Sequence, residues 1–404
     1  MKEKTVLVLT STFPRWKSDA EPRFVYDLCI RLQRHFNVIV LAPHTNGAAR
    51  EEIVEGLHVY RFRYAPTKLE NIAYDGGITS NLKKSKINWL VLPFFLISEC
   101  FSIWKLLGRY PVNVIHAHWL IPHGALALLS RAFRRKKPAI LCTSHGGDLY
   151  GLQGRLSTLI KRVVIDKAEA LTVVSAAMKE KVIELSEGER NGIQVISMGS
   201  DLRGQFVTDY TRERKENQLL FVGRLVPKKG LTYLIDVLPE LIRTFPDIRL
   251  YIAGVGPEKM TMENRVANLG LESNVVFLGI QSQTELIKLY QESSLSIFPF
   301  VRAKDGDMEG LGLVMVEALG CACPVIAGDV PAVKDVLEHE KTGLIVDVAG
   351  HDSLRCAIDK MLSDPKWAQE SGRKGNEYVS KYYDWEIVTI RYKELLDRLA
   401  YYYD

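Results

Sequence analysis

The stretch LLFVGRLVPKKGLTYLI, residues 219–235, joins a short apolar run to a helical pattern through a glycine and a basic loop. The apolar run is typical of a buried strand ending at Gly223, and the later apolar spacing predicts a helix from about Leu231. A strand, a short loop and a helix in this order form the repeating unit of a doubly wound α/β sheet. The fold class therefore depends on how often this unit recurs.

The same alternation of apolar strands and helical segments recurs along most of the 404 residues. Near-continuous apolar strands separated by helices indicate parallel sheets covered on both faces, so we predict an α/β protein. The predicted strands lie at 5–10, 38–43, 57–63, 112–118, 139–144 and 170–175, and then at 219–223, 249–254, 274–279, 294–300, 323–328 and 343–347.

The chain is longer than one hydrophobic core usually holds, which favours two domains. A polar segment at 198–217 interrupts the alternation, so we predict one Rossmann-like domain over 1–205 and a second over 206–384. Residues 385–404 have the apolar spacing of an amphipathic helix. In sheets of this kind, ligands bind at the carboxyl ends of the strands.

Composition and charge narrow the class of protein. With 47% hydrophobic and 25% charged residues, the chain has the composition of a soluble globular protein. Its net charge of +5 is mild and no long basic arm occurs, which argues against nucleic acid as a partner. The charge suits phosphate-bearing substrates or an anionic membrane surface. The first 14 residues predict a strand and not a signal peptide.

The most apolar stretch, residues 87–107, is long enough to span a bilayer but contains Asn88, Pro93, Glu99 and Lys105. We predict a buried core helix, with contact to a membrane surface as the alternative. The charge run RAFRRKK at 131–137 predicts a solvated face, and attraction to anionic lipids is its alternative.

The basic loop after residue 223 predicts an anion site. Arg224 and Lys229 lie between the end of a strand and the start of a helix, where backbone N–H groups also attract anions. A solvated surface loop is the alternative. The Gly254 and Gly256 pair in YIAGVGPE is a weaker signal, because the third glycine of a dinucleotide fingerprint is missing. Its absence argues against a nicotinamide or flavin enzyme.

The stretch DMEGLGLVMVEALG, residues 307–320, carries Glu309 and Glu317 around a glycine-rich run. Gly310 and Gly312 permit positive φ or close approach of a ligand. A helix from about Leu313 would aim its free N–H groups at an anion. The carboxylates are suitable acceptors for sugar hydroxyls, although they could simply complement the helix dipole.

At these residues the chain resembles the family 4 retaining glycosyltransferases. The resemblance covers nearly the whole chain, and segments 13–28 and 64–82 resemble a bacterial subgroup that elongates surface polysaccharides. It implies a GT-B fold: two facing Rossmann-like domains, acceptor in the first and nucleotide-sugar donor in the second, with the C-terminal helix crossing back. The matching segments are HAHWLIPHG, SHGGDLY, VSAAMKEKV, ISMGSDLRGQF, FVGRLVPKKG and EGLGLVMVEALGCACPVIA.

The resemblance implies a donor site in the second domain. Arg224 and Lys229 would bind the diphosphate, Glu309 the transferred sugar and Glu317 the ribose. Backbone amides near Gly312 would cap the distal phosphate. The full donor-binding set is Gly223, Arg224, Lys229, Gly254, Gly256, Val276, Leu278, Glu309, Gly310, Leu311, Gly312, Leu313, Val314 and Glu317.

In the first domain, the resemblance places His145 at the reacting centre, and with Glu309, Arg224 and Lys229 it completes the catalytic set. A satisfied core histidine is the alternative for His145. Of His116 and His118, one is expected to face the cleft and the other to pack. The loop at 11–23 lacks the glycines of many relatives, which favours contact with the acceptor over the diphosphate. The acceptor-binding set is Arg15, Trp16, Glu21, Arg23, His118, His145 and Asp148.

We therefore expect a retaining glycosyltransferase that needs no metal, with front-face attack assisted by the leaving phosphate. Its donor would be a UDP-, GDP- or ADP-sugar, and its acceptor a saccharide or polyprenyl-diphosphate-linked saccharide. The expected location is cytoplasmic, with peripheral contact at the inner membrane face. Three alternatives remain: a soluble sucrose- or trehalose-type synthase, a GT-B nucleotide-sugar epimerase, and a catalytically silent nucleotide-sugar-binding subunit.

Overall fold

The computed structural model describes residues 4–16, 19, 21–152, 154–186, 190, 192–209 and 211–402. The chain divides into two compact units. Unit 1 comprises Met1–Ser197 and Thr389–Asp404, and unit 2 comprises Met198–Val388. Both units alternate strands with helices, and the predicted α/β class of two doubly wound sheets is confirmed.

In the described part of unit 1, eight strands form one sheet in the order β3-β4-β2-β1-β5-β6-β7-β8. The neighbouring strands pair in parallel except β3 and β4. Strand β1 lies between β2 and β5, so the winding of the chain reverses there. The strands are β1 (Thr5–Leu9), β2 (Asn37–Pro43), β3 (Glu51–Val54), β4 (Leu57–Phe62), β5 (Val112–His118), β6 (Ala139–Ser144), β7 (Ala170–Val173) and β8 (Gln194–Val195).

The helices of unit 1 connect and cover these strands. Several are amphipathic: α6, for example, buries Val164 and Ile165 and exposes Leu156. A short turn of helix at Leu120–Gly124 follows β5. The helices are α1 (Phe24–Leu32), α2 (Ile78–Lys84), α3 (Ile87–Arg109), α4 (Ala125–Ala132), α5 (Gly147–Tyr150), α6 (Arg155–Lys167) and α7 (Ala176–Leu185).

In the described part of unit 2, six parallel strands are ordered β11-β10-β9-β12-β13-β14, so the winding reverses between β9 and β12. Their apolar side chains, such as Leu219, Phe221 and Ile252, pack against helix residues including Leu234 and Ile358 to form the core. The strands are β9 (Lys215–Val222), β10 (Arg249–Ala253), β11 (Val275–Gly279), β12 (Ser293–Phe298), β13 (Val325–Gly328) and β14 (Leu344–Val346).

The helices of unit 2 are α8 (Leu231–Thr244), α9 (Lys259–Asn268), α10 (Gln283–Glu292), α11 (Leu313–Gly320), α12 (His351–Ser363) and α13 (Pro365–Tyr382). The last helix, α14 (Trp385–Tyr402), begins in unit 2, and its residues from Thr389 onward belong to unit 1. There Tyr392 is fully buried and its ring centroid lies 5.5 Å from that of His116.

Two features of unit 1 differ from the expectations. Strand β3 was not predicted; it pairs antiparallel with β4 through a tight turn in which Glu55 and Gly56 both have positive φ, the geometry of short hairpin turns. Helix α3 is not the buried core helix that its composition predicts. Only one of its faces is buried, and the opposite face carries exposed large apolar side chains.

Candidate functional site

The sheet of unit 2 brings the predicted donor residues together at one edge. The winding reverses between β9 and β12, and the carboxyl ends of two such strands frame the usual ligand crevice of a doubly wound sheet. Gly223 and Arg224 follow β9 directly, and Pro299 and Phe300 follow β12. The backbone ties the two loops together, since Val301 N donates to the carbonyl of Lys228 at 3.0 Å.

Lys229 and Glu309 meet at this edge. Lys229 Nζ donates to Glu309 Oε2 at 2.6 Å, and the two side chains are only 12% and 14% exposed. Burial alone would raise the pKa of Glu309, but the ammonium groups of Lys229 and Lys228 outweigh it and lower this pKa to about 2. Glu309 is therefore ionised throughout the neutral range.

Two neighbours hold this pair in place. Lys228 Nζ lies 3.2 Å from Asp307 Oδ1 and 3.2 Å from the carbonyl oxygen of Met308, which fixes the loop that leads to Glu309. The ring of Phe300 lies beneath Lys229, with 4.6 Å between Nζ and the ring centroid. The ammonium group is thus positioned by a cation–π contact as well as by the carboxylate.

Helix α11 begins at Leu313, as its glycine pattern predicts. Gly312 precedes it in the left-handed region with φ of 85°, and a Cβ there would lie 2.9 Å from Met315 Cε and 3.0 Å from Phe300 Cε2. Met315 N–H donates to the Gly312 carbonyl at 2.8 Å, but glycine has no side chain to cap the helix, so within the described part of the chain the N–H groups of Leu313 and Val314 are left for another acceptor. The start of α11 therefore offers an anion site next to Phe300.

Glu317 lies one turn into α11 and is partly buried. Burial raises the pKa of its carboxyl group to about 7, although the Tyr290 hydroxyl at 3.5 Å and the charge of Lys229 act in the opposite direction. The charge of Lys229 thus acts to lower the pKa of both Glu309 and Glu317.

The remaining predicted donor residues differ in their packing and burial. Gly254 and Gly256 allow close packing of backbone, because a Cβ at Gly254 would lie 2.0 Å from the Gly223 carbonyl oxygen and one at Gly256 2.2 Å from that of Leu225. Half-buried Val276 and Leu278 lie in β11, the edge strand, two strands from β9. The Leu311 side chain and Gly310 are buried.

A cavity of about 330 Å³ opens beside this group in unit 2. Phe300 and Met308 line it, as do Tyr233 and Arg302 and residues that follow β13 and β14, but Lys229 and Glu309 do not. It lies on the β12–β14 side of the strand ends. The cavity is therefore adjacent to the ion pair rather than centred on it.

In unit 1, the sheet brings His118 and His145 together. His118 is the last residue of β5 and His145 follows the last residue of β6. His118 Nδ1 lies 2.9 Å from His145 Nε2, and their rings are nearly parallel. Phe24 and Trp119 each place a ring centroid 4.9 Å from that of His145. Burial lowers the pKa of His145 to about 3, so its imidazole is neutral at neutral pH.

His116 and His118, of which one is expected to face the cleft and the other to pack, are both fully buried in unit 1. His116 packs against Tyr392, and its Nε2 lies 2.8 Å from Thr143 Oγ1. Among the described residues, His118 Nε2 has no hydrogen-bond partner. The two residues are two positions apart in β5 and therefore lie on the same face of the strand, with 4.2 Å between their ring centroids.

Asp148 is predicted to contact the acceptor, yet its carboxylate is already engaged inside unit 1. Ser144 Oγ donates to Oδ1 at 2.8 Å, and the backbone N–H of Leu120 donates to Oδ2 at 2.6 Å. These bonds join the loops after β5 and β6. Asp148 therefore holds the backbone that carries His118 and His145, and its oxygens are occupied.

The loop after β1 also contains predicted acceptor residues. Arg15 Nη2 donates to Asp19 Oδ1 at 2.7 Å and to Asp75 Oδ1 at 3.3 Å. Glu21 accepts from the Thr12 hydroxyl at 2.9 Å and from the Asp75 N–H at 2.6 Å. These two side chains are therefore held by their own unit.

The other two residues of this loop are open to solvent. Trp16 is 45% exposed, and Arg23 is exposed with its guanidinium 4.4 Å from the ring centroid of Tyr26. Of the four acceptor residues predicted in this loop, Trp16 and Arg23 thus present surface to a ligand.

The sequence reasoning assigned no role to several residues that shape these two groups. Phe300 supports both Lys229 and Gly312, Tyr290 contacts Glu317, and Phe24 and Trp119 enclose His145. The available signal was position: Phe300 ends the predicted strand 294–300, as Gly223 ends the predicted strand 219–223. Among the described residues, no group of three or more His, Cys, Asp or Glu side chains is arranged to hold a metal ion.

Two family models match the chain and together span most of it. Residues 22–203 match the model described as Glycosyltransferase Family 4. Residues 205–378 match the model described as Glycosyl transferases group 1. The junction between the matches lies near the division between unit 1 and unit 2.

One characterised relative aligns over nearly the whole chain. It is the GDP-mannose-dependent alpha-(1-6)-phosphatidylinositol monomannoside mannosyltransferase of Mycolicibacterium smegmatis, 29% identical over 404 residues, which cover 97% of this chain and 98% of that protein.

Solved structures with the same fold have lower identity. Sucrose-phosphate synthase from Thermosynechococcus elongatus superimposes with a TM-score of 0.80 at 20% identity, covering 98% of this chain and 99% of that one. The Anabaena HepE protein in complex with UDP and glucose superimposes with a TM-score of 0.73 at 16% identity, covering 98% and 100%.

Proposed function

The chain belongs to the glycosyltransferases that join a family 4 domain to a group 1 domain, and from this we propose that it transfers a sugar, with retention of configuration, to a saccharide or lipid-linked saccharide in the synthesis of a bacterial surface polysaccharide. The family, the enzyme class and the GT-B fold predicted from the sequence are confirmed. The chain is a glycosyltransferase that uses a nucleotide sugar.

The observation that carries the proposal is the arrangement of Lys229, Glu309 and the start of α11 at the reversal point of the unit 2 sheet. Departure of a nucleoside diphosphate places negative charge on its distal phosphate. A fixed ammonium group and unpaired helix N–H groups at that position stabilise this charge as it develops. Arg224, in the same loop as Lys229, adds a second cation.

The pair between Lys229 and Glu309 gives each residue a role when the donor binds. The diphosphate replaces the carboxylate as the partner of Lys229. Glu309 then accepts hydrogen bonds from hydroxyls of the transferred sugar, which its low pKa keeps possible over the neutral range. Glu317, further along α11, accepts hydrogen bonds from the ribose when its carboxyl group, whose pKa burial raises to about 7, is ionised.

The same low pKa makes Glu309 a weak base and a weak nucleophile. We therefore assign proton removal from the acceptor hydroxyl to the departing phosphate. The acceptor oxygen would attack the anomeric carbon from the face that the phosphate leaves, which retains the anomeric configuration. Neutral His145 contacts the sugar or the acceptor through a hydrogen bond and carries no charge. No divalent metal is required in this proposal, because Lys229 and Arg224 supply the positive charge.

Two observations support an acceptor at a membrane. The aligned relative from Mycolicibacterium smegmatis acts on a phosphatidylinositol mannoside, which is a lipid-linked sugar. Unit 1 also carries a run of basic residues at 131–137. We propose a cytoplasmic protein that works peripherally at the inner face of the membrane.

The test has two stages. A thermal-shift screen against UDP-, GDP- and ADP-sugars identifies the donor, and slow release of nucleoside diphosphate without acceptor then separates an enzyme from a silent binding subunit. NMR of the product gives its anomeric configuration, and activity in excess EDTA tests the need for metal. An inverted product contradicts the proposed mechanism, and donor binding without any turnover contradicts the proposed function.

A further inference from the structure

Helix α3 has two faces of different character. The face turned toward unit 1 buries Asn88, Val91, Phe95, Glu99, Ile103 and Leu106. On the opposite side, Leu90, Phe94, Ile97 and Phe101 are 61–73% exposed, and Trp104 continues the line. The spacing of four, three, four and three residues places these side chains in one stripe, which we call the α3 stripe. It runs for roughly 21 Å at 1.5 Å per residue.

An exposed apolar stripe of this length needs an occupant, because soluble proteins rarely leave contiguous apolar patches in water. By length and composition alone α3 could cross a membrane. Its buried face rules out that role in the folded unit, however, since the Glu99 carboxylate is hydrogen-bonded to His123 and Phe95 packs edge-to-face on Phe62 and Tyr64. The helix is therefore suited to lie along a surface.

Charge around the stripe identifies that surface. From residue 76 to residue 147 the sequence has one acidic residue, Glu99, which is buried. The cations of the same segment flank the stripe in sequence, before its start and after its end. They are Lys83, Lys84, Lys86, Lys105, Arg109, Arg131, Arg134, Arg135, Lys136 and Lys137.

The structure joins the basic run at 131–137 to the end of the stripe. Arg134 donates to the Trp104 carbonyl oxygen, and its guanidinium lies 4.6 Å from the centroid of the Trp104 ring. Beside it Phe133 is 73% exposed, which adds an aromatic side chain next to Arg135, Lys136 and Lys137. Aromatic and basic side chains side by side are typical of the interface between lipid headgroups and acyl chains.

From this geometry we infer that the α3 stripe and the basic segment 133–137 form a docking surface for an anionic lipid bilayer, with the stripe inserted at the level of the acyl chains. A bilayer supplies an apolar layer and negative headgroups at the same time. A second copy of the chain fits less well. Cations flank the stripe at both ends, so a two-fold contact through this face would bring basic residues of the two copies together whether the helices run parallel or antiparallel.

The inference extends the membrane location proposed above, but it rests on unit 1 surface residues and not on the donor residues. It also assigns a purpose to a helix whose predicted burial is wrong on one face. Docking along α3 would hold unit 1, which carries His118 and His145, at the bilayer surface.

The test is flotation of the full chain with two kinds of vesicle: phosphatidylcholine alone, and a mixture of phosphatidylcholine and phosphatidylglycerol. The stripe variant carries Phe94→Ser, Ile97→Ser and Phe101→Ser. Its matched control carries Ile53→Ser, Met260→Ser and Leu269→Ser, which are exposed apolar residues outside the stripe. A charge variant carries Arg135→Glu, Lys136→Glu and Lys137→Glu.

Wild type and control are expected to bind the mixed vesicles, and the stripe variant to bind about tenfold or more weakly. The charge variant should lose the preference for phosphatidylglycerol, and high salt should have the same effect on wild type. Circular dichroism and release of nucleoside diphosphate from a soluble donor should match wild type in all three variants, since the changed residues are exposed and outside the donor site.

Equal vesicle binding by the stripe variant and wild type would overturn the inference. A loss of binding in the control variant equal to that in the stripe variant would also overturn it. The wild-type chain could instead bind neither kind of vesicle and form dimers that the stripe substitutions disrupt. That result would assign the stripe to self-association and would also overturn the inference. Vesicle binding by a chain that turns over no donor would leave the docking surface intact and contradict the proposed function instead.

Discussion

Lys229 Nζ lies 2.6 Å from Glu309 Oε2, although the two residues are 80 positions apart in the chain. The pair joins the loop after β9 to the loop before α11, and both side chains are largely shielded from water. The Lys229 ammonium group is predicted to bind a diphosphate, and the Glu309 carboxylate is predicted to bind a sugar. Without a donor, the two groups thus neutralise each other.

The first prediction concerns this pair and stability. Lys229→Met leaves a shielded carboxylate without its cation, so we expect a clear fall in melting temperature, and Glu309→Gln should give a smaller one. The double variant should lose less free energy of unfolding than the sum of the losses in the two single variants. A double-mutant cycle of chemical unfolding should give a coupling of about 0.5–3 kcal/mol. The exposed pair of Lys341 and Glu338 is the control, and its cycle should give a value near zero. Additive effects of Lys229→Met and Glu309→Gln on the free energy of unfolding would show that the pair is not formed in solution.

The second prediction is a pH dependence of donor binding. Ribose hydroxyls donate to an ionised carboxylate, so the donor favours the deprotonated form of Glu317, whose pKa burial raises to about 7. Affinity for the nucleotide sugar should therefore rise with pH, by about tenfold between pH 6 and pH 8. Calorimetry must use the intact nucleotide sugar, because the terminal phosphate of a free nucleoside diphosphate itself titrates near neutrality.

Two variants decide whether Glu317 is the group responsible. Glu317→Gln should bind the donor more weakly and with no dependence on pH. Glu309→Gln should keep the dependence, because the pKa of Glu309 is lowered to about 2 and this carboxylate does not titrate in the tested range. A dependence that survives Glu317→Gln would remove Glu317 from the donor site.

These carboxylates stood out in the sequence because they bracket the glycine-rich run at 309–317, and their roles toward the sugar and the ribose were implied by the family resemblance. The structure adds that β9 and β12 are neighbours, so the loops that follow them meet although they are distant in the chain. The glycine at 312 likewise predicted the start of α11. The pairing of Lys229 with Glu309 was not predictable. Whether Lys229 faces Glu309 or solvent depends on the path of the loop at 301–308.

Contacts with segments that are distant in the chain could not be predicted from the sequence. The α3 sequence is apolar all round, and composition alone does not tell which of its faces unit 1 covers. Arg15 and Glu21 looked available for an acceptor, but both are held near Asp75, which follows some 60 residues later in the chain. By contrast, β3 carried a local signal, since Glu55-Gly56 between two β-type runs is a plausible hairpin turn.

The third prediction concerns His145. As its pKa is lowered to about 3, the ring acts as a neutral hydrogen-bonding group, and His145→Ala should reduce the rate of transfer about 100-fold while donor affinity changes little. Exposed His35→Ala is the control and should behave as wild type. A rate profile with a step near pH 6.5 that disappears in His145→Gln would show instead that the imidazole titrates and works as an acid or base.

The fourth prediction concerns Gly312. Alanine there would adopt φ of 85° and crowd both Met315 and Phe300, so Gly312→Ala should lower the free energy of unfolding by more than the roughly 1–2 kcal/mol of left-handed strain alone. Gly270→Ala is the matched control, since its φ is 66° and no atom lies within 4 Å of its Cβ. Donor affinity should fall in Gly312→Ala only. Equal effects of the two changes on affinity would dissociate the start of α11 from the donor.

The fifth prediction separates the acceptor from the donor. Trp16 is half-exposed and belongs to the loop after β1, so Trp16→Ala should raise the KM for acceptor several-fold and leave release of nucleoside diphosphate without acceptor unchanged. Arg15→Ala should instead lower the melting temperature, because Asp19 and Asp75 lose their common partner. A Trp16→Ala enzyme with an unchanged acceptor KM would remove this loop from the acceptor site.

The central claim is that Lys229 and Arg224 stabilise the leaving diphosphate of a nucleotide sugar. Its most direct measurement is the rate of nucleoside diphosphate release, without acceptor, from the sugar nucleotide identified by thermal shift. The account predicts measurable release by wild type and a loss of about 100-fold or more in Lys229→Ala and in Arg224→Ala, with Lys341→Ala unaffected. Release by Lys229→Ala and Arg224→Ala at the wild-type rate would contradict the account.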